Sequence, residues 1–174
     1  MHIAVVTISD RASRGEYADI SGPAIEDWLK AAIASPCRIT RSVIPDGVES
    51  VRDALIALCV AERADLILTT GGTGPAPRDL TPEAMQAVLD KELSGFGELM
   101  RRVSLDQVPT AILSRQTAGI RGGTLIINLP GKPASIALCL KAVFPAVPYC
   151  LDLIGAGRIE TDPSVLKSFR PSTG

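Results

Sequence analysis

Apolar positions along the chain follow two alternating rhythms. His2 to Ile8 is a short, continuous apolar run ending at Ser9-Asp10, the pattern of a strand buried on both faces. Ser9 to Ile20 is polar, contains Gly15 and reads as a loop. From about Pro23 apolar residues recur at helical spacing, with Ile25, Trp28, Leu29, Ala32 and Ile33 on one stripe. Ser21 or Gly22 is the expected cap, Pro23 suits the first helical position, and Pro36 ends the helix. Cys37 to Ile44 reads as a second strand, stopped by Pro45-Asp46-Gly47. Val48 to Arg63 is helical again through Val51, Leu55, Leu58 and Cys59, and Leu66 to Thr70 is a third strand. Gly71-Gly72-Thr73-Gly74-Pro75 follows it, and Thr81-Pro82-Glu83 opens the next helix with a cap, a proline and a first-turn acid. Gly95 to Asp106 has helical spacing, Ala111 to Arg121 has no clear period, and Thr124 to Leu129 is a fourth strand. Pro130-Gly131-Lys132-Pro133 turns into a helix reaching about Phe144, with a further short helix over Val147 to Ile154. Gly155 to Gly174 carries Pro163 and Pro171 and is expected to run over the surface.

Strands alternating with helices imply right-handed crossovers and an α/β fold in three layers, a mostly parallel sheet with helices on both faces. The 174 residues suit one domain spanning 1–174, with 155–174 as its tail. Ligands in such folds bind beyond the carboxyl ends of the strands, where the strand order switches.

Composition narrows the function. Hydrophobic residues are 46% of the chain, enough for a packed core, and the formal net charge is −1. That balance argues against a duplex nucleic-acid partner, and 3% aromatic residues argue against stacking on single strands. Cys37, Cys59, Cys139 and Cys150 form no CxxC pair and His2 is the one histidine, so a zinc site and Ser-His catalysis are not expected. The cysteines read as reduced thiols of a cytoplasmic protein. The start of the chain lacks the basic region of a signal peptide, and no apolar run was expected to approach the roughly 20 residues that cross a bilayer.

Four loops should meet at the carboxyl edge of the sheet. They bring Ser9, Asp10, Arg11 and Arg14 from the first strand, Asp46 from the second, Gly71 to Asp79 from the third, and Asn128, Gly131 and Lys132 from the fourth. Gly71, Gly72 and Gly74 let backbone N–H groups approach phosphate oxygens without a Cβ in the way, and Thr70 and Thr73 add hydroxyl donors. Neither generic phosphate motif is present: Gly131-Lys132 runs into Pro133, unlike a Walker A, and Pro77 stands where a dinucleotide fingerprint needs glycine. A nicotinamide oxidoreductase is therefore a weak reading. Taken singly, Asp46 is an ordinary turn residue and Asp79 an ordinary helix cap near Thr81. Converging with Asp10 beside a phosphate loop, they suit Mg²⁺ and phosphoryl or nucleotidyl transfer. Arg11, Arg14, Arg78 and Lys132 would balance a polyphosphate; His2 reads as a strand start and Trp28 as core.

Thr69-Thr70-Gly71-Gly72-Thr73-Gly74-Pro75 followed by Arg78-Asp79-Leu80-Thr81-Pro82-Glu83-Ala84 resembles the signature of the molybdopterin adenylyltransferases, a family that includes plant and animal G domains of molybdenum-cofactor synthesis. Ser9 to Ser13, Gly95 to Glu98, Met100-Arg101, Val108 to Gln116, Asn128 to Gly131 with Pro133, and Val147 to Cys150 extend the resemblance over nearly the whole chain. It implies a homotrimer that joins molybdopterin and ATP into adenylyl-molybdopterin and pyrophosphate with Mg²⁺, and hands its product to a molybdenum-inserting enzyme. It also implies that Asp46 and Asp79 are the catalytic and metal-binding acids, that Gly71, Gly72, Thr73 and Gly74 bind ligand, and that Pro130 and Gly131 do so as well. Ser9, Asp10 and Thr70 join the binding set by position. Pro77 and Lys132 depart from the family pattern, and the region between Leu140 and Val147 is shorter. A pterin-binding carrier or scaffold without turnover is the alternative.

Overall fold

Every residue of the first strand, β1 (His2–Ile8), is buried, and its side chains divide between two cores. Ile3 and Val5 point to one face of the sheet, Ala4, Val6 and Ile8 to the other. This period-two division of a continuous apolar run is what a strand covered on both sides requires. The computed structural model describes residues 1–172. After β1 come α1 (Asp10–Ser13), α2 (Ser21–Ala32), β2 (Arg38–Ile44), α3 (Val48–Val60), β3 (Leu66–Thr70), α4 (Thr81–Val88), β4 (Lys91–Glu92) and α5 (Ser94–Leu105). A 3₁₀ turn (Pro109–Leu113) leads to β5 (Ala118–Arg121), β6 (Thr124–Leu129) and α6 (Pro133–Val143), then a second 3₁₀ turn (Phe144–Ala146) leads to α7 (Val147–Leu153).

The six strands form one sheet in the order β2-β1-β3-β6-β5-β4. β2, β1, β3 and β6 are parallel, whereas β5 runs antiparallel to β6 and β4 antiparallel to β5. Ile25 and Leu29 of α2, Met100 of α5, and Ile136, Leu140 and Leu151 of α6 and α7 bury against one face. Val51 and Leu55 of α3 with Met85 and Val88 of α4 cover the other. The expected three layers are present, and the antiparallel edge is an addition to them.

Several local details differ from the sequence reading. The loop after β1 contains α1, with Ser9 accepting from the Ala12 N–H as its cap (3.3 Å). The side chain that caps α2 is Asp19, whose Oδ1 accepts from the N–H groups of Ser21 and Gly22, both at 3.0 Å. The expected caps are instead the first two helical residues. β2 is an edge strand and largely exposed, so its alternation is weaker than that of β1 and β3. Trp28 packs edge-on against Phe144, with ring centroids 5.0 Å apart. His2 is buried, with Nε2 against Thr40 Oγ1 at 2.8 Å, at the amino end of β1 and away from the carboxyl edge.

Contrary to expectation, one run, Pro133–Leu153, is 21 residues long and apolar enough by composition to cross a membrane. Here it is α6, a 3₁₀ turn and α7, whose Cys139, Leu140, Val143, Phe144, Val147 and Leu151 lie in the core beside the sheet. The segment after Gly155 is likewise more than a surface run. Ile159 is 0% exposed, Leu166 is buried, and Thr161 bridges to Ile33. Arg170 donates to both carboxylate oxygens of Asp152 and to the Ile159 carbonyl. Ile159→Ala should therefore lower stability by about 2–5 kcal/mol, measured by denaturant unfolding. Val165→Ala, at an exposed position of the same segment, should change it by less than about 0.5 kcal/mol.

Candidate active site

β1 is flanked by β2 on one side and β3 on the other, so the chain order reverses between β1 and β3. A crevice opens where the loops leaving these strands diverge. It encloses about 160 Å³ and is lined by Ile8, Ser9, Asp10, Arg11 and Tyr17 after β1, Asp46 after β2, and Gly72, Arg78 and Asp79 after β3. Ser9, Asp10, Asp46, Gly72 and Asp79, scattered in sequence, thus share one wall.

Backbone hydrogen bonds hold the acids in place. Asp46 Oδ2 accepts from the Asp10 N–H at 2.9 Å, and Asp10 Oδ1 accepts from the Asp46 N–H at 3.1 Å. This reciprocal pair ties the first two loops together and leaves each carboxylate a second oxygen. Asp46 Oδ1 lies 3.5 Å from where a Gly72 Cβ would be. Asp79 does not cap α4: its Oδ2 accepts from the Ala76 N–H at 3.1 Å within its own loop, and α4 starts with no side-chain cap. Thr81, expected as the cap, is the first helical residue, and its hydroxyl donates to the Gly71 carbonyl at 3.0 Å.

The glycine bend is shaped by close packing. Gly71 has φ +104° and Gly72 φ +62°. A Cβ on Gly71 would overlap the Ile8 carbonyl oxygen, and one on Gly72 would overlap Thr81 Oγ1. One on Gly74 would sit 2.6 Å from Asp79 Oδ2. Positions 71 and 72 of the bend therefore fit only without side chains, pressed between β1 and α4. Thr70, expected as a ligand donor, is buried, and its hydroxyl donates to the Pro130 carbonyl at 2.8 Å. Its part is to fasten the end of β3 to the turn after β6. Thr73 is buried, and its carbonyl accepts from the Arg115 N–H.

Pro130 and Gly131 lie outside the acidic crevice. With Lys132, Ser135, Ser104, Gln107, Ser114 and Gln116 they line a second cavity of about 260 Å³. The two spaces adjoin at the bend, since a Cβ on Gly131 would be 3.9 Å from the Gly71 Cα. Ser114 Oγ and Gln116 Oε1 are buried without a hydrogen-bond partner among the described residues, and Gln116 is 2% exposed. Asn128 Oδ1, at the end of β6, is a third such atom, its amide nitrogen donating to Thr69 Oγ1 at 2.9 Å. Buried polar atoms left unpaired in this way mark a place for a ligand or water. Gln116 falls in the stretch without period, and nothing in its spacing announced it.

Of the basic candidates, Arg78 and Arg11 line the crevice, with Arg11 stacked 4.9 Å from the Tyr17 ring centroid. Arg14 pairs with Glu16 outside it, and Lys132 faces the second cavity. Tyr17, not anticipated, closes the crevice with its hydroxyl 2.9 Å from Ser9 Oγ. The four cysteines are free, and burial pushes every one of their thiols above its usual pKa, so none is poised as a thiolate nucleophile.

Fold and crevice together define a doubly wound α/β protein with an aspartate-lined crevice beside a glycine bend at its strand-order switch. A family model described as "Probable molybdopterin binding domain" matches residues 4–149, and the chain belongs to that family. It is 52% identical over 171 residues to a protein of Helicobacter pylori named molybdopterin adenylyltransferase, covering 98% of this chain and 97% of that one. It is 46% identical to the Escherichia coli K12 protein of the same name, covering 99% and 95%. Among solved structures, the molybdopterin biosynthesis enzyme MoaB of Thermus thermophilus superposes with a TM-score of 0.82 at 41% identity, over 91% of this chain and 99% of that one.

Proposed function

We propose that this chain, acting as one domain over residues 1–174, transfers AMP from ATP to molybdopterin. The carrying observation is that Asp46 and Asp79 line one crevice with the Gly72 backbone. A terminal phosphate oxygen of molybdopterin attacks the α-phosphorus of ATP; the new P–O bond forms as the bond to pyrophosphate breaks. The nucleophile is already an oxyanion, so neither a covalent enzyme intermediate nor a histidine base is needed, and positioning and electrostatics carry the rate.

Mg²⁺ is the cation this reading calls for. Asp46 Oδ2, Asp10 Oδ1 and Asp79 Oδ2 are occupied by backbone N–H groups, and no cluster of three or more His, Cys, Asp or Glu able to hold a metal occurs among the described residues. Two carboxylates with free oxygens fit a cation whose remaining ligands are phosphate oxygens and water. Asp46 and Asp79 would hold Mg²⁺, which would neutralise phosphate charge as it shifts to the leaving group. Ser9 and the bend from Gly71 to Gly74 orient phosphate oxygens, Asp10 fastens the Asp46 loop at the ligand site, and Arg78 offsets the phosphate charge. Thr70, Pro130 and Gly131 act by shaping the floor and the neighbouring cavity. There Ser114 and Gln116 offer acceptors to the adjacent N–H donors of a pterin ring.

The same reading makes the chain a cytoplasmic homotrimer that passes its product to a molybdenum-inserting enzyme. Purified chain incubated with molybdopterin, ATP and Mg²⁺ should yield adenylyl-molybdopterin and pyrophosphate in equal amounts, and chelation with EDTA should stop the reaction. Molybdopterin binding without ATP-dependent product would instead establish the carrier.

A further inference from the structure

Arg115 stands behind the crevice rather than in its lining, yet it gathers more of the glycine loop than any crevice residue does. Its backbone N–H donates to the Thr73 carbonyl at 2.8 Å. Its Nε donates to the Gly74 carbonyl at 3.0 Å, and one terminal nitrogen donates to the Asp79 carbonyl. Both terminal nitrogens also reach the Glu83 carboxylate on the first turn of α4. The two neighbours of Arg115 that face the second cavity are Ser114 and Gln116, whose buried oxygens lack partners. One residue therefore fastens the loop carrying Asp79 to the segment carrying those two atoms.

Arg115 and Glu83 side chains are 39% and 40% exposed, and an ion pair at that exposure contributes little to stability. The pairing holds the Glu83 carboxyl below its usual pKa range, chiefly through the hydrogen bond from Arg115. The unusual element is the pair of carbonyls, Gly74 and Asp79, which bracket the loop. A planar guanidinium reaches both while holding Glu83; an ammonium has no such fork.

We propose that Arg115 is a positioning residue for the transfer reaction: it keeps Asp79 in register with the second cavity by holding the Gly74 and Asp79 carbonyls. This rests on the adenylyl-transfer reading. A misplacement of the order of 1 Å costs about 10²-fold in rate. Arg115→Gln should therefore lower kcat about 10- to 100-fold with KM for ATP changed less than about threefold. Arg115→Lys should recover only part of the loss. Glu83→Gln, which keeps the carbonyl contacts, should cost less than about threefold.

Steady-state kinetics of the full chain, with melting temperatures alongside, separates the possibilities. Equal kcat losses in Arg115→Gln and Glu83→Gln would overturn the proposal, as would a loss in Arg115→Gln that tracks a fall in folded fraction. Amide hydrogen exchange of the unliganded protein gives a readout independent of activity. Residues 74–79 should exchange faster in Arg115→Gln and unchanged in Glu83→Gln. A wild-type chain that turns over nothing overturns the adenylyl-transfer reading, and the exchange comparison then decides the positioning role alone.

Discussion

Replacing Asp46 or Asp79 by alanine should lower the rate of adenylyl transfer by about 10²–10³-fold while the protein stays folded. On the adenylyl-transfer reading each variant loses a carboxylate of the crevice, which corresponds to about 3–4 kcal/mol of barrier. The structural cost is smaller. Asp46→Ala frees the Asp10 N–H and Asp79→Ala the Ala76 N–H, single hydrogen bonds at partly exposed positions. Each is worth about 1 kcal/mol. Asparagine at either site keeps an acceptor oxygen and removes only the charge, so Asp46→Asn and Asp79→Asn should retain stability and still lose most of the rate. If the two acids grip one cation, the double variant should be little slower than either single one. Product formation at saturating ATP and molybdopterin measures these effects; full activity in both alanine variants would remove the acids from the mechanism.

Gly71→Ala should be the most damaging glycine replacement, lowering stability by about 2–4 kcal/mol and abolishing turnover. Two costs add. At φ +104° an L side chain is strained, and the new Cβ would meet the Ile8 carbonyl oxygen, a backbone atom of β1 with no freedom to move aside. Gly122→Ala is the control. Its φ is +54° with nothing within 4 Å of the added carbon, so it should show only the backbone cost of about 1–2 kcal/mol. Gly72→Ala should fall between them, because the obstacle there is the Thr81 hydroxyl, a side chain that can rotate at the expense of its bond to the Gly71 carbonyl. Denaturant midpoints of the three variants order these costs. Equal losses in all three would show that close packing at the bend contributes nothing.

Parts of the fold that differ from expectation still leave a signal in the chain. Gly122-Gly123 between two short apolar stretches is a hairpin sequence, and it joins β5 to β6. β5 has only four residues and β4 two, too short for a period to emerge. Asp19, two residues before α2, is a residue type that caps helices as readily as the nearer Ser21. Ile159 sits in a proline-bearing, polar segment, and its burial comes from the core it joins, which includes Leu29 of α2 and Leu151 of α7.

The sequence by itself determined the four parallel strands and the long helices that cross between them, short α1 excepted, and that polar and glycine-rich loops follow each parallel strand. Those properties follow from periodicity and local backbone chemistry, which act over a few residues. Tertiary structure decided the rest. The placement of β1 between β2 and β3 sets the loops of Asp10, Asp46 and Asp79 around one crevice, and it is fixed by contacts between residues far apart in the chain. It also decided that Asp79 does not cap the helix it precedes: its carboxylate takes the Ala76 N–H, and Thr81 donates to the Gly71 carbonyl. Ser114 and Gln116 acquire meaning only through burial, a property of neighbours brought in by folding.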